Sequence, residues 1–264
     1  MFISLAFTLG LAVGSFLNVV VVRKKRGESA RGRSYCEGCK TILLATELIP
    51  ILSFILQKGR CRTCGIALSW QYPIVEFSTA AFFGLTAWLL LPNLSFDPAS
   101  FILCGAIMIG VSASLYIAIA DIKYQIIPDG AIVAIFLLAI LRMSARASGE
   151  GFINYSPVIY DAITAFLIAF FFWALWFFSS GTWMGFGDVK LILATSLVLG
   201  FPASLIAFLL AFWLGGLYGI ILIISRVNTL KGRIPFGPFI LAGMYIAYFF
   251  SENLLYAAGF SDFF

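Results

Sequence analysis

Long apolar stretches separated by short polar breaks run through this chain. About 20 consecutive apolar residues suffice for a helix to cross a bilayer. On that criterion spans are predicted at 2–22, 73–92, 101–120, 130–147, 159–178, 187–201, 203–225 and 236–258. The sixth is short, and Gly200 and Pro202 make the break before the seventh a tight turn. Residues beyond 142 are polar, which blurs the end of the fourth. The stretch 42–57 is also apolar, but Glu47 and Pro50 interrupt it and it is not counted. The expectation is an all-α polytopic membrane protein with about eight transmembrane helices. Met1-Phe2-Ile3-Ser4 carries no basic residue and no small-residue cleavage site follows, so the first span reads as a retained helix.

Composition agrees with this pattern. The chain is 62% hydrophobic and 11% charged, with mean hydropathy +1.03, whereas a soluble domain carries roughly a quarter charged residues. A net charge of +5 could suggest nucleic acid, but the basic residues fall where membrane topology needs them. With the N-terminus outside, loops 23–72, 121–129, 179–190 and 226–235 lie in the cytoplasm. They hold 15 of the 17 lysines and arginines, leaving only Arg142 and Arg146 outside. That asymmetry is the positive-inside pattern. The expected partner is the lipid bilayer, not nucleic acid.

The chain then divides into a first transmembrane helix (1–22), a cytoplasmic piece (23–72) and a membrane domain (73–264). Cysteines organise the middle piece. Cys36-Glu37-Gly38-Cys39 and Cys61-Arg62-Thr63-Cys64 are two CxxC knuckles, a spacing that suits one tetrahedral structural zinc ion with two ligands from each. Two disulfides are the competing reading, disfavoured by the reducing cytoplasm. Four cysteines leave no open coordination position, so the Zn2+ would hold a fold and perform no catalysis. Cys104, in mid-span, reads as a small apolar packing residue.

Candidate chemistry lies in two aspartates. Asp121 follows the apolar run 101–120 and opens Asp121-Ile122-Lys123-Tyr124-Gln125-Ile126-Ile127-Pro128-Asp129. Asp188 stands in Gly185-Phe186-Gly187-Asp188-Val189-Lys190-Leu191. An ionisable group at the edge of a span is costly and points to function, and two carboxylates that meet can share a proton in aspartic-protease chemistry. The chain has no histidine, which excludes Ser-His and Cys-His nucleophile pairs and HExxH zinc hydrolysis. Each aspartate alone could be an interfacial helix end, with Lys123 and Lys190 snorkelling to headgroups. Asp129 is a rival to Asp121. On an unbroken helix it would lie about 12 Å away along the axis, and its Pro-Asp-Gly context is that of a helix start, so it is given a structural role. Glu76, at the start of the second span, needs a partner; a structural ion pair and a role in group transfer both remain open.

In their order along the chain these motifs resemble the bacterial type IV prepilin peptidases, which are leader peptidases and N-methyltransferases of the GxGD aspartyl protease group. Gly14-Ser15-Phe16-Leu17-Asn18-Val19-Val20 with Arg23 is similar to that family's first-helix signature. The four cysteines match its tetracysteine domain, followed by Tyr72-Pro73-Ile74-Val75-Glu76. Asp121 and Asp188 match its two catalytic aspartates, and Ile234-Pro235-Phe236-Gly237-Pro238-Phe239 its last signature. Lys123 departs from the pattern, since many relatives carry a neutral or acidic residue there. The resemblance implies cleavage of prepilins or pseudopilins after a glycine at the cytoplasmic face of the bacterial inner membrane. It further implies S-adenosylmethionine-dependent methylation of the new N-terminus. A zinc-bearing scaffold, or a transporter using the aspartates as a proton relay, is the alternative; no internal repeat supports the latter.

Overall fold

A computed structural model describes residues 2–90, 98–147, 156–225 and 234–257. Among these the fold is all-helical: α1 (Phe2–Lys25), the short α2 (Leu52–Leu56), α3 (Gln71–Leu90), α4 (Pro98–Tyr124), α5 (Asp129–Ala147), α6 (Ser156–Phe178), α7 (Phe186–Leu199), α8 (Ala203–Ile224) and α9 (Gly237–Ala257). A one-turn 3-10 helix covers Ala45–Glu47. Every predicted span is thus a helix within a few residues of its expected bounds. The stretch 42–57 forms only one short helix and turns, as its Glu47 and Pro50 require. The ends of the predicted spans at 91–92 and 258, and residues 226–233 of the last expected cytoplasmic loop, lie outside the described residues.

Among the described residues five helices are long and apolar enough to cross a membrane: α1, α4, α5, α6 and α8. α9 holds a shorter apolar stretch, Gly237–Phe250. α3 carries Gln71, Glu76, Ser78 and Thr79 in its first half and does not join the five. α7 has 14 residues, about 21 Å of helix at 1.5 Å per residue, less than the ~30 Å hydrocarbon core. The long helices expose their apolar faces: Phe166 and Leu167 on α6 are 65% exposed and Trp213 on α8 is 73% exposed. Apolar faces of that extent belong in lipid and not in water. The chain is a multi-pass membrane protein.

Two compact units make up the chain, Met1–Tyr116 and Ile117–Phe264. In the first, α1 and α3 pack antiparallel with their backbones nearly touching. A Cβ on Gly10 would come within 2.6 Å of the Ala80 Cα, and one on Gly14 within 2.7 Å of the Glu76 Cα. Only glycine permits that approach. The buried Asn18 donates from its amide nitrogen to the carbonyl of Tyr72 and accepts from the Gln71 side chain, fixing the register.

In the second unit α7 is the central helix, packed by α5, α6, α8 and α9. Its burial from Asp188 to Leu199 explains why so short a helix is apolar nearly all round. At its far end the buried Asp161 of α6 accepts from Arg142 and Arg146 of α5 and from the Phe201 N–H. The two arginines expected outside therefore form a clamp on Asp161. Sequence reasoning missed that carboxylate, although an aspartate leading an otherwise apolar span, with Arg142 and Arg146 one helical turn apart in the preceding one, was the available signal.

Candidate active site and metal centre

Helix α4 ends at Tyr124, and Gln125 takes a left-handed φ of 53° before Pro128 restarts the chain into α5. The break separates the two neighbouring aspartates completely. Asp121, still on α4, is buried at 5% exposure; Asp129 begins α5 at the surface and pairs with Lys190. The structural role expected of Asp129 is therefore an ion pair, and Lys190 is engaged there instead of snorkelling.

Asp188 lies in the first turn of α7 and is also buried. It comes close enough to Asp121 for the two carboxylates to interact electrostatically. Each is tied down through one oxygen by a backbone amide. The Gly237 N–H donates to Asp121 Oδ2 at 2.8 Å, and the Gly185 N–H donates to Asp188 Oδ2 at 3.1 Å. Gly237 and the neighbouring Gly187 leave little room for a side chain. A Cβ on Gly237 would sit 2.8 Å from Asp121 Oδ2, and one on Gly187 would sit 3.0 Å from the Ile127 Cβ. The Gly-Phe-Gly-Asp sequence thus lets the 125–128 break press against the start of α7. Sequence analysis noted the Pro-Phe-Gly-Pro segment, but its part as a hydrogen-bond donor to Asp121 could not be read from sequence.

The four cysteines converge. Their Sγ atoms all lie within 4.8 Å of one another, with Cys36 and Cys64 at 3.8 Å, and none is disulfide-bonded. A tetrahedral ion with ~2.3 Å metal–sulfur bonds requires sulfurs about 3.8 Å apart, so the donor set fits a metal. The two knuckles are built alike. The Lys40 N–H donates to the Cys36 carbonyl and the Cys36 N–H to the Thr41 carbonyl; the Gly65 N–H donates to the Cys61 carbonyl and the Cys61 N–H to the Ile66 carbonyl. Lys40 and Gly65 both have positive φ. Hydrogen bonds from the Thr41 side chain and backbone draw the Cys39 thiol down to about 6, and backbone amides of Cys64 and Thr63 lower Cys61. Against a lowering amide of Ile66, burial and the three neighbouring cysteines push Cys64 the other way, up to about 11, so the cluster favours thiolate, the form that binds metal, at Cys39 and Cys61. Cys104, on α4, lies outside this cluster.

Glu76 has no ion-pair partner among the described residues, which corrects half of the expectation. Its carboxylate accepts from the Ile51 N–H at 2.7 Å and from Ser15. Arg23, quoted only as part of a motif, is buried with its guanidinium donating to the carbonyls of Ala30, Arg31 and Arg33.

These features agree with known proteins. The bacterial peptidase A24 N-terminal domain matches residues 8–90 and the type IV leader peptidase family matches residues 108–220. A prepilin leader peptidase/N-methyltransferase of Bacillus subtilis is 30% identical over 254 residues, covering 96% of each chain. Proteins of the same name from Aeromonas salmonicida (29% identical) and Pseudomonas aeruginosa (27%) cover 96% of this chain and 92% of their own. No solved structure matches. With its aspartates, its thiolate cluster and these relatives in agreement over nearly its whole length, the chain belongs to the type IV leader peptidase family.

Proposed function

We propose that this chain hydrolyses the leader from type IV prepilins or pseudopilins after a glycine, with Asp121 and Asp188 as the catalytic pair. The observation that supports this most is two buried aspartates in electrostatic contact, each fixed through Oδ2 by a glycine amide. The other oxygen of each carboxylate is the one offered to the reaction. In the ionised member it takes a proton from water as that water attacks the scissile carbonyl. The protonated member hydrogen-bonds the carbonyl oxygen and stabilises the developing negative charge. The proton then passes to the leaving amine. Because such a pair titrates as a unit, the roles belong to the dyad.

The topology that suits this chemistry has eight crossings, α3, α7 and α9 completing the five long apolar spans. The N-terminus lies outside, and both aspartates lie at the cytoplasmic face of the inner membrane. There a basic leader meets an apolar segment. The functional division we favour keeps 1–22, 23–72 and 73–264 as helix, cytoplasmic tetracysteine domain and peptidase domain. Cys36, Cys39, Cys61 and Cys64 would hold a structural Zn2+, which supplies no chemistry to the cleavage.

The curated relatives are also named N-methyltransferases, and we propose the same second activity here, on the amine that cleavage exposes, with S-adenosylmethionine as donor. The only strand-like pairings among the described residues are two isolated bridges in the cysteine knuckles.

The test is to incubate the purified full chain with a prepilin, with and without S-adenosylmethionine, and to weigh the products. Loss of the leader in both samples, and one added methyl group only with the donor, is expected. Full cleavage by Asp121→Asn or Asp188→Asn would overturn the carboxylate mechanism, and no cleavage by the unaltered chain would favour a scaffold.

A further inference from the structure

The segment Leu48–Leu56 belongs, on the sequence pattern, to a water-facing cytoplasmic domain. Its surroundings in the fold contradict that setting. Leu48, Ile49, Leu52, Ile55 and Leu56 are 41–63% exposed, a contiguous apolar surface on one turn and one short helix. Such a patch on a soluble domain would be a liability in water.

The level of this segment along α1 says what covers it. Residues Phe2–Val22 of α1 are uncharged and mostly apolar, about 31 Å of helix and the thickness of a hydrocarbon core, and Arg23 closes that stretch. α3 runs antiparallel in a fixed register, with Ala80 against Gly10, Glu76 against Gly14 and Tyr72 bonded to Asn18. Ser15, which bonds Glu76, therefore lies about 12 Å on the apolar side of Arg23. Glu76 accepts directly from the Ile51 N–H. One hydrogen bond thus ties the segment to a depth well inside the apolar part of α1.

We infer that Leu48–Leu56 is a re-entrant wedge seated in the lipid of the leaflet beside α1 and α3, with Leu52, Ile55 and Leu56 against hydrocarbon. This rests on reading α1 as a membrane span.

Three independent features fit that occupant. Backbone groups in lipid must be paired internally, and here the amides of Leu52, Ser53, Ile55 and Gln57 donate to the carbonyls of Pro50, Ile49, Ile51 and Ser53, and that of Leu48 to Ala45 just before the segment. Ile51 finds its acceptor elsewhere. It stands at the centre of a γ-turn with φ 60° and ψ −51°, closed by Leu52 N–H donating to the Pro50 carbonyl at 2.6 Å, so its own amide has no local carbonyl. Glu76 supplies the acceptor, which gives this buried carboxylate a purpose that an ion pair would not. The exits are also interfacial in character. Lys58 and Arg60 follow the wedge at the surface, suited to anionic headgroups. Trp70, 70% exposed and in ring contact with Phe54 at 5.0 Å, marks the headgroup level at the start of α3.

The experiment places photoreactive benzoylphenylalanine singly at Leu52, Ile55, Leu9 and Arg62 in the full chain, reconstituted in nanodiscs of phosphatidylethanolamine and phosphatidylglycerol. The samples are irradiated and weighed intact. Leu9, 50% exposed on α1, reports the span itself, and Arg62 reports the aqueous knuckle. Phospholipid-mass adducts at Leu52, Ile55 and Leu9 but not at Arg62 are the expected result. Adducts at Leu9 without adducts at Leu52 and Ile55 would overturn the wedge while leaving the span intact. A protein crosslink in place of lipid, when the Leu52 and Ile55 variants are irradiated in cells, would assign this face to a protein partner and overturn it equally. No adduct at Leu9 would remove the membrane reading of α1, and the wedge with it.

Discussion

The thiolate cluster and the aspartate pair are assembled in opposite ways. Each cysteine knuckle closes on itself within six residues, through amides and carbonyls of Cys36–Thr41 and Cys61–Ile66. Folding it needs one further contact, knuckle on knuckle. The aspartate site has no such local frame. Asp121 rides the last turn of one helix, Asp188 the first turn of another, and the amide that holds Asp121 comes from Gly237, 116 positions along the chain. The metal centre is therefore insensitive to distant packing, whereas the aspartate pair reports the packing of the whole second unit.

The sharpest way to break the comparison is to neutralise one carboxylate. Asp121→Asn or Asp188→Asn should lower kcat/KM for prepilin cleavage roughly 10³-fold or more, the size of a lost general acid–base, with normal membrane accumulation. A leader-cleavage time course with each variant measures it.

A smaller but more telling loss is expected from Gly237→Ala. The added methyl would sit 2.8 Å from Asp121 Oδ2, and it should lower kcat about 10²-fold by misplacing the carboxylate, the effect of roughly 1 Å of displacement. KM and thermal stability should hardly change. An unchanged kcat would mean that the distant amide does not set the site.

For the metal centre the expected effect falls on folding before chemistry. Purified protein should contain about one zinc per chain, the content of a four-cysteine site, and Cys36→Ser or Cys61→Ser should lose it together with thermal stability. The pH dependence follows from Cys39, whose folded value of about 6 lies below the ordinary thiol value of 9.0. A depressed value means that its contribution is complete above the ordinary value and is lost as pH falls through about 6. Metal content against pH should show release on that acid side and retention at neutral pH.

Two substitutions should be milder. Asp161→Asn leaves two arginines, each about a third exposed, without their carboxylate. Water can partly reclaim them, so a loss of about 1–3 kcal/mol in stability is expected, read as a lower melting temperature. Asp129→Asn breaks only the surface pair with Lys190 and should cost less than about 1 kcal/mol, with cleavage retained. Strong loss of cleavage on Asp129→Asn would move the catalytic role away from Asp121.

This contrast also explains what was legible in the sequence. The eight helices were visible because each long apolar run is its own signal, and the four cysteines because ligand spacing is local. Asp121 and Asp188 stood out as charges at span edges. Gly237, the Ile51–Glu76 bond and the Asp161 clamp were not legible, since each joins residues far apart in sequence through a backbone group or a buried side chain. Glu76 shows the difference best: the need for a partner was evident, but the partner is an amide, which has no sequence signature.

The register of α1 on α3 has a consequence for how the protein is made. The first helical hairpin and its cysteine knuckles fall within the first unit and are held by the α1–α3 approach and by their own turns, so they can form before the second unit is made. Asp121 emerges soon afterwards, yet its amide partner is synthesised 116 residues later. A growing chain therefore completes the cysteine cluster early and the proposed aspartate pair last, and an unfinished copy in the membrane would have no assembled dyad with which to cleave its neighbours.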